Sequence, residues 1–300
     1  EAMTPGQIIM LENLRFFPEE EANDQSFAQS LSNLGELYIG DAFSCAHRAH
    51  SSIDILPRLM PSAVGRSFAA ELEALDSALG NPDRPLGAVI GGAKVSSKLS
   101  LLANLVVKVD GLILGGGMAN TFLLARGEQI GSSLAEPEMI KTAQEIMELA
   151  LEKGCKLILP LDVNVAAELK RGAAHRVIYT RDILSSEMIL DVGPETVKSA
   201  INFVSKCSTI IWNGPIGAFE IEPFDTATNA VANAVAAATK VKKVLSVAGG
   251  GDTAAALVNA GVNDQFSYIS TAGGAFLEWL EGKTLPGVEA LKIKSAINNC

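Results

Sequence analysis

The stretch Leu86-Gly-Ala-Val-Ile-Gly-Gly-Ala-Lys-Val-Ser-Ser-Lys-Leu99 decides the fold. Three apolar residues, Ala88, Val89 and Ile90, run into the paired glycines Gly91 and Gly92, after which Leu99, Leu102, Ala103 and Val106 recur at helical spacing. The pattern predicts strand, tight turn, helix. Lys94 and Lys98 lie four apart, so on a helix starting near residue 95 both ammonium groups project from one face of its first turns. A helix N-terminus already carries partial positive charge, which makes two cations there unfavourable unless an anion joins them. Backbone N–H groups, dipole and both lysines would then converge on one phosphate. Two solvated lysines on an exposed face are the alternative reading.

Working outward, the same unit recurs. Val109-Asp-Gly-Leu-Ile-Leu-Gly-Gly-Gly-Met-Ala-Asn-Thr, Thr209-Ile-Ile-Trp-Asn-Gly-Pro-Ile-Gly, Val244-Leu-Ser-Val-Ala-Gly-Gly-Gly-Asp-Thr and Tyr268-Ile-Ser-Thr-Ala-Gly-Gly-Ala are each a short apolar run ending in a glycine-rich turn. In a parallel sheet such turns fall together at the carboxyl edge, where ligands of open α/β sheets bind. They predict a long groove for a phosphorylated ligand.

Three hundred residues suggest about two domains with room for a full core. The formal charge of −10 and the lack of any lysine or arginine block argue against nucleic acid as a partner. Cys45, Cys155, Cys207 and Cys300 form no C-x-x-C pair, which suits a reducing cytoplasm. No run of 18 apolar residues exists, so no membrane association is expected. Apolar residues make up 48% and aromatics only 5%, as suits strands of Ala, Val, Ile and Leu buried on both faces.

In chain order the sequence predicts a strand at 7–11, a helix at 19–33 and a strand at 37–40, then a polar loop and a helix at 68–79. Beyond these come strands at 87–90, 111–114, 156–159, 209–212, 243–248 and 266–270, with a further strand at 176–179. Helices at 95–107, 117–125, 137–152, 194–204, 224–238, 252–260 and 274–281 alternate with them. Such alternation predicts an α/β fold of Rossmann-like parallel sheets. The expected organisation is a partial N-terminal domain at 1–67, an interdomain hinge helix at 68–80, a second domain at 81–284 and a C-terminal segment at 285–300 packing back toward the first. The first domain has few strands, so it is expected to be incomplete here.

Eight motifs in order carry a resemblance. Leu-Glu-Asn-Leu-Arg-Phe (11–16), Asp-Ala-Phe with Ala-His-Arg-Ala-His-Ser-Ser (41–52), Gly-Gly-Ala-Lys-Val-Ser-Ser-Lys-Leu (91–99), Gly-Gly-Gly-Met-Ala-Asn-Thr-Phe (115–122), Asp-Val-Gly-Pro-Glu-Thr (191–196), Trp-Asn-Gly-Pro-Ile-Gly-Ala-Phe-Glu (212–220), Gly-Gly-Gly-Asp-Thr (249–253) and Leu-Glu-Gly-Lys-Thr-Leu-Pro-Gly-Val (280–288) resemble the phosphoglycerate kinases. The resemblance implies a monomeric, cytoplasmic hinge enzyme of glycolysis. Its reaction is reversible transfer of the acyl phosphate of 1,3-bisphosphoglycerate to Mg-ADP, giving 3-phosphoglycerate and ATP, with Mg²⁺ as the cofactor. Lys94 and Lys98 would act at the phosphates. Gly250, Gly251, Asp252 and Thr253 would meet phosphate at a helix N-terminus, with Asp252 holding Mg²⁺. For Asp252 a helix N-cap is the alternative reading.

By the same resemblance Glu220 would accept the ribose hydroxyls, with Asn213, Gly214, Pro215 and Gly217 as the wall beside it and Gly92 near the phosphates. Gly116, Leu134 and Leu190 would line the adenine slot. Arg15 and Arg48, with His47, would hold the phosphoglycerate, since an arginine fork matches phosphate and carboxylate geometry. Cys45, His47 and His50 have a spacing open to metal, but hydrogen bonding to loop backbone and substrate-side groups is the stronger expectation.

Family members usually begin about a hundred residues earlier, with motifs that carry a further arginine at the transferring phosphoryl group. The chain is therefore expected to be N-terminally truncated and to bind nucleotide better than it turns over. Ser44-Cys45 and Ala272 also depart from the family pattern, and Ala272 puts the 270–274 loop in doubt as a phosphate contact if that turn needs a positive φ. A nucleotide-binding module without catalysis is one alternative. An NAD-dependent oxidoreductase is another, since Gly249-Gly-Gly-Asp-Thr-Ala254 matches G-x-G-x-x-A, but no acidic residue follows about 20 positions on at a second strand end.

Overall fold

The computed structural model describes residues 3–292. The chain divides into two compact units, one formed by residues up to Ala69 together with those from Thr284 on, the other by Ala70–Lys283.

In the smaller unit, helices α1 (Pro18–Glu21) and α2 (Gln25–Ser32) lead to β1 (Tyr38–Gly40), α3 (Leu56–Leu59) and β2 (Ser62–Val64). The continuous helix expected at 19–33 is broken. Asn23 adopts φ 54, and Asp24 caps α2 by accepting a hydrogen bond from the Phe27 N–H at 2.8 Å. Strands β1 and β2 pair in parallel, with Tyr38 opposite Ser62. The strand expected at 7–11 is instead irregular, with Ile8 and Met10 more than nine-tenths exposed. An apolar run alone does not make a strand; it needs a ladder partner, and 7–11 has none among the described residues. The core is small, with Phe43 and Phe68 packed edge to face at 5.3 Å. Buried Glu20 receives hydrogen bonds from the Ser52 N–H and hydroxyl.

Helix α4 (Arg66–Leu75) continues as a wide π-helical turn over Asp76–Gly80. The larger unit then alternates β3 (Leu86–Ile90), α5 (Leu99–Val106), β4 (Gly111–Leu114), α6 (Gly116–Ala125), α7 (Ile140–Lys153) and β5 (Lys156–Ile158). A hairpin-like insertion follows, of β6 (Asp162–Ala166), β7 (His175–Tyr179) and β8 (Met188–Val192). Then come α8 (Pro194–Val204), β9 (Thr209–Asn213), α9 (Thr226–Lys242), β10 (Leu245–Gly249), α10 (Gly251–Asn259), β11 (Tyr268–Ser270) and α11 (Gly273–Leu280). The last helix, α12 (Pro286–Lys292), belongs to the smaller unit, where it packs on the 51–55 turn, α3 and β2.

All five glycine-ended strands fall in one parallel sheet, ordered β11-β10-β9-β3-β4-β5. From β3 the chain steps outward through β4 and β5; from β9 it steps the other way through β10 and β11. The switch point therefore lies between β3 and β9, where Ile90 pairs with Asn213. Both strands are buried throughout, and Trp212, fully buried, anchors the core beneath them. The sequence reading did not anticipate the second sheet, ordered β7-β6-β8 and antiparallel.

Candidate functional site

At the switch point the β3 and β9 turns cross at backbone contact. A Cβ on Gly91 would lie 1.7 Å from the Pro215 carbonyl oxygen, so only glycine fits. Gly214 sits at φ +99, against Gly91. The Lys98 ammonium fills this crossing. Its Nζ donates to the carbonyls of Gly91 (2.6 Å) and Asn213 (3.2 Å) and to Asn213 Oδ1 (2.6 Å). Burial pulls the Lys98 pKa down to about 8, against the opposing charge of Asp252.

The two lysines do not share a helix face. Helix α5 starts only at Leu99, with Lys98 as its N-cap in a preceding 3₁₀ turn, and Lys94 lies exposed in the loop before it. The reason is Glu136, a buried residue that the sequence reading missed. Its carboxylate accepts from the Ser96 N–H (3.0 Å) and hydroxyl (2.5 Å), fixing the 94–98 loop outside the helix. The Glu136 N–H in turn donates to Thr121 Oγ1 at 3.0 Å, and Asn120 donates to the Leu134 carbonyl at 3.0 Å. Glu136 stands in the polar stretch Ser132-Ser-Leu-Ala-Glu-Pro-Glu138, where on a sequence it reads as a surface residue.

The β10 turn completes this edge. Gly250, at φ +99, is the N-cap of α10, so Asp252 is not the cap; it lies exposed in the first turn. Thr253 points inward, its Oγ1 accepting from the Gly214 N–H at 2.7 Å, and Asn213 Nδ2 donates to the Gly249 carbonyl at 2.8 Å. The β3, β9 and β10 turns thus form one hydrogen-bonded rim. At the next turn Ala272 has φ −94, so no glycine is needed there.

Beside the rim opens a cavity of about 340 Å³. It gathers Gly92, Gly116, Leu134, Leu190, Pro215, Gly217, Glu220 and Asp252 from the expected set. It also takes Leu169, Met188 and Asp191 from the β6–β8 insertion, which periodicity did not reveal. Leu134 and Leu169 are about half exposed, an apolar slot open to a flat ring. Asn213, Gly214, Gly250, Gly251, Thr253 and Lys98 flank this cavity without lining it.

Arg15, Arg48 and His47 belong to the smaller unit, where the arginines meet a single 3₁₀ turn, Phe43–Cys45. The Arg15 guanidinium lies 3.9 Å from Cys45 Sγ, and the Arg48 N–H donates to the Cys45 carbonyl at 3.0 Å. Both arginine side chains are exposed, and His47 is half-buried. His50 lies 3.8 Å from Glu20. Among the described residues no three His, Cys, Asp or Glu side chains group as a metal site, nor is any helix long and apolar enough to cross a membrane.

Comparison with known proteins places this arrangement. The family model described as Phosphoglycerate kinase matches residues 1–283. The chain is 58% identical over 290 residues to the phosphoglycerate kinase of Rhodospirillum centenum, covering 97% of this chain and 73% of that protein. It is 57% identical over 291 residues to that of Mesorhizobium japonicum, at the same coverage of both chains. Among solved structures, phosphoglycerate kinase from Coxiella burnetii superposes with a TM-score of 0.94 at 47% identity, over 98% of this chain and 75% of that one. The Pyrococcus horikoshii OT3 enzyme superposes with a TM-score of 0.81 at 30% identity, over 97% and 74%. The match runs through every glycine-edged turn that builds the rim, and the chain belongs to the phosphoglycerate kinase family.

Proposed function

We propose that the chain transfers the acyl phosphate of 1,3-bisphosphoglycerate to the β-phosphate of ADP, reversibly, in glycolysis. The observation that carries this reading is the Lys98 ammonium held among neutral acceptors at the sheet's switch point, next to the α10 N-terminus. In transfer the carboxyl-bound P–O bond breaks and a bond from an ADP oxygen forms. The protein's task is to align two anions and neutralise charge on the equatorial oxygens. Lys98, with Lys94 from the exposed loop, supplies positive charge. The first-turn N–H groups of Gly251 and Asp252 supply fixed donors.

In this reading the 340 Å³ cavity takes the nucleoside, its ring against Leu134 and Leu190 and its ribose hydroxyls toward Glu220. Mg²⁺ suits the donor set: it is commonly held by one or two carboxylates plus substrate phosphates, and Asp252 offers one exposed carboxylate at the rim. When bound it would neutralise phosphate charge. Arg15, Arg48 and His47 make the smaller unit the holder of phosphoglycerate, which leaves Ala70–Lys283 the nucleotide unit, with α4 as the connector between them. Cytoplasmic location, a monomer and no nucleic-acid partner complete the proposal.

The test is calorimetric titration of the chain with Mg-ADP and with NAD, repeated on Lys98→Ala, alongside a coupled assay of phosphoryl transfer. Mg-ADP binding that weakens about tenfold or more in the variant, with none for NAD, is the expected result. Binding of NAD, or Mg-ADP binding indifferent to Lys98, would overturn it.

A further inference from the structure

The loop 214–218 walls the cavity of about 340 Å³ through Pro215, Ile216, Gly217 and Ala218. It belongs to no helix or strand, so its backbone N–H groups must find partners elsewhere. Pro215 has none to place. The Gly214 N–H donates to Thr253 Oγ1 at 2.7 Å, and the Ala218 N–H to the Leu190 carbonyl at 2.8 Å. The two between them, of Ile216 (3.1 Å) and Gly217 (3.3 Å), both end on one atom, Thr228 Oγ1. A hydroxyl oxygen has two lone pairs and can take both.

Thr228 is the third residue of α9; it is fully buried and does not line the cavity. Threonines often turn their oxygen to backbone groups of their own helix turn, whereas this one serves the loop. The helix end that carries it is fixed as well, because the Ala227 N–H donates at 2.9 Å to Oδ2 of Asp191, buried in β8.

This hold passes across the cavity. The Ile216 carbonyl accepts from the Gly116 N–H at 2.5 Å. The Ile216–Gly217 peptide is therefore gripped on both sides, its N–H by Thr228 and its carbonyl by the β4 turn, where Gly116 and Gly117 line the same space. Two residues past Ala218 the chain reaches Glu220, which also lines it.

We propose that Thr228 is a positioning residue for the nucleotide: its oxygen holds the 215–218 wall in register with the β4 turn and so sets nucleotide affinity without touching the ligand. The proposal rests on the reading of this cavity as the nucleotide site. Without the acceptor the wall is displaced for part of the time, and the apparent Kd rises by the inverse of the fraction that stays in place.

The test compares the full chain with Thr228→Val, which keeps the shape and removes the acceptor, and Thr228→Ser, which keeps the oxygen. Val235→Ala, at a buried position two turns further along α9, controls for loss of packing alone. Calorimetric titration with Mg-ADP, well below each melting temperature, should give a Kd about tenfold higher for Thr228→Val, the worth of one or two neutral hydrogen bonds. Thr228→Ser and Val235→Ala should stay within about twofold of the parent chain, even where Val235→Ala melts as low as Thr228→Val. Amide hydrogen exchange, read without ligand, should be about tenfold or more faster in Thr228→Val at Ile216, Gly217 and Gly116, and near the parent rate in Thr228→Ser. An unchanged Kd in Thr228→Val, no rescue by serine, or an equal rise in Val235→Ala would overturn the proposal. If the parent chain does not bind Mg-ADP, the reading of the cavity fails and the effect on affinity falls with it. Exchange at Gly116 still decides whether Thr228 holds the wall: an unchanged rate there would overturn that hold even where nucleotide binds.

Discussion

Lys98 should take up a proton when nucleotide binds. In the free chain burial holds its pKa at about 8 against an ordinary 10.5, with only neutral carbonyl groups as hydrogen-bond partners. A phosphate beside Nζ restores the charged form. Free Lys98 is half-protonated at pH 8, so binding there should draw in about 0.5 proton, with about 0.1 at pH 7 and about 0.9 at pH 9. The phosphates of ADP are fully ionised above pH 8 and contribute nothing to this rise. Calorimetric titration with Mg-ADP in Tris and in phosphate buffer reads the uptake, because the apparent enthalpies differ by the protons exchanged times the difference in buffer ionisation enthalpy. Equal enthalpies in the two buffers at pH 8, or an uptake that persists in Lys98→Ala, would refute the reasoning. The same displacement has a sign for stability. A lysine whose folded pKa lies below its unfolded value contributes stability above about pH 10.5, and that contribution is lost as pH falls through 8. At pH 7 the whole of it is gone, roughly 3 kcal/mol at most, so the nucleotide-free chain should melt higher relative to Lys98→Ala as pH rises from 8 to 10.

Gly91→Ala puts a Cβ 1.7 Å from a carbonyl oxygen and should cost at least about 1–3 kcal/mol in chemical denaturation, as overpacking does. Gly251→Ala meets nothing within 4 Å and should stay within about 0.5 kcal/mol, so any loss of Mg-ADP affinity there reports on phosphate approach to the α10 N-terminus. Asp252→Asn should weaken ADP binding about tenfold when Mg²⁺ is present and little in its absence, read by titration with and without EDTA. Burial works against the Glu136 charge, yet hydrogen bonds from Ser96 and Val95 and the charge of Lys94 hold its pKa below 4.5. Its contribution is present above that pH and lost as pH falls, so acid unfolding of Glu136→Gln should be shallower than that of the parent chain, followed by circular dichroism.

The larger sheet was legible because β3, β4, β9 and β10 are buried on both faces, which makes each strand a mostly apolar run leading into glycine. The insertion was not. In β6 the run Asp162-Val-Asn-Val-Ala follows β5 after only a few residues, and β7 is exposed on both faces through His175, Arg176, Val177 and Tyr179, so neither gives a clean period. That gap hid the part of the cavity formed by Leu169, Met188 and Asp191. In the smaller unit the error ran the other way: 7–11 has strand composition without a ladder partner. Lys98 was found by spacing, but its burial among Gly91 and Asn213 depends on β9, 115 residues further along the chain, and no local pattern carries that.

The crossing of the β3 and β9 turns also explains why a lysine can be stored there. Gly91 and Gly214 bring two backbones together so closely that their carbonyls point at one spot, and Asn213 adds a third oxygen. These acceptors hold the ammonium in place while giving it no counter-charge. The charge of Asp252 raises the pKa without restoring it. A phosphate arriving at the α10 N-terminus offers what the neutral oxygens cannot, a charge-assisted bond roughly twice as strong. The free energy withheld from the folded chain by leaving Lys98 undercompensated therefore becomes available on binding. That is a reason for selection to keep the three neutral acceptors and not replace one with a carboxylate: Asn213→Asp should stabilise the empty chain and weaken its hold on nucleotide.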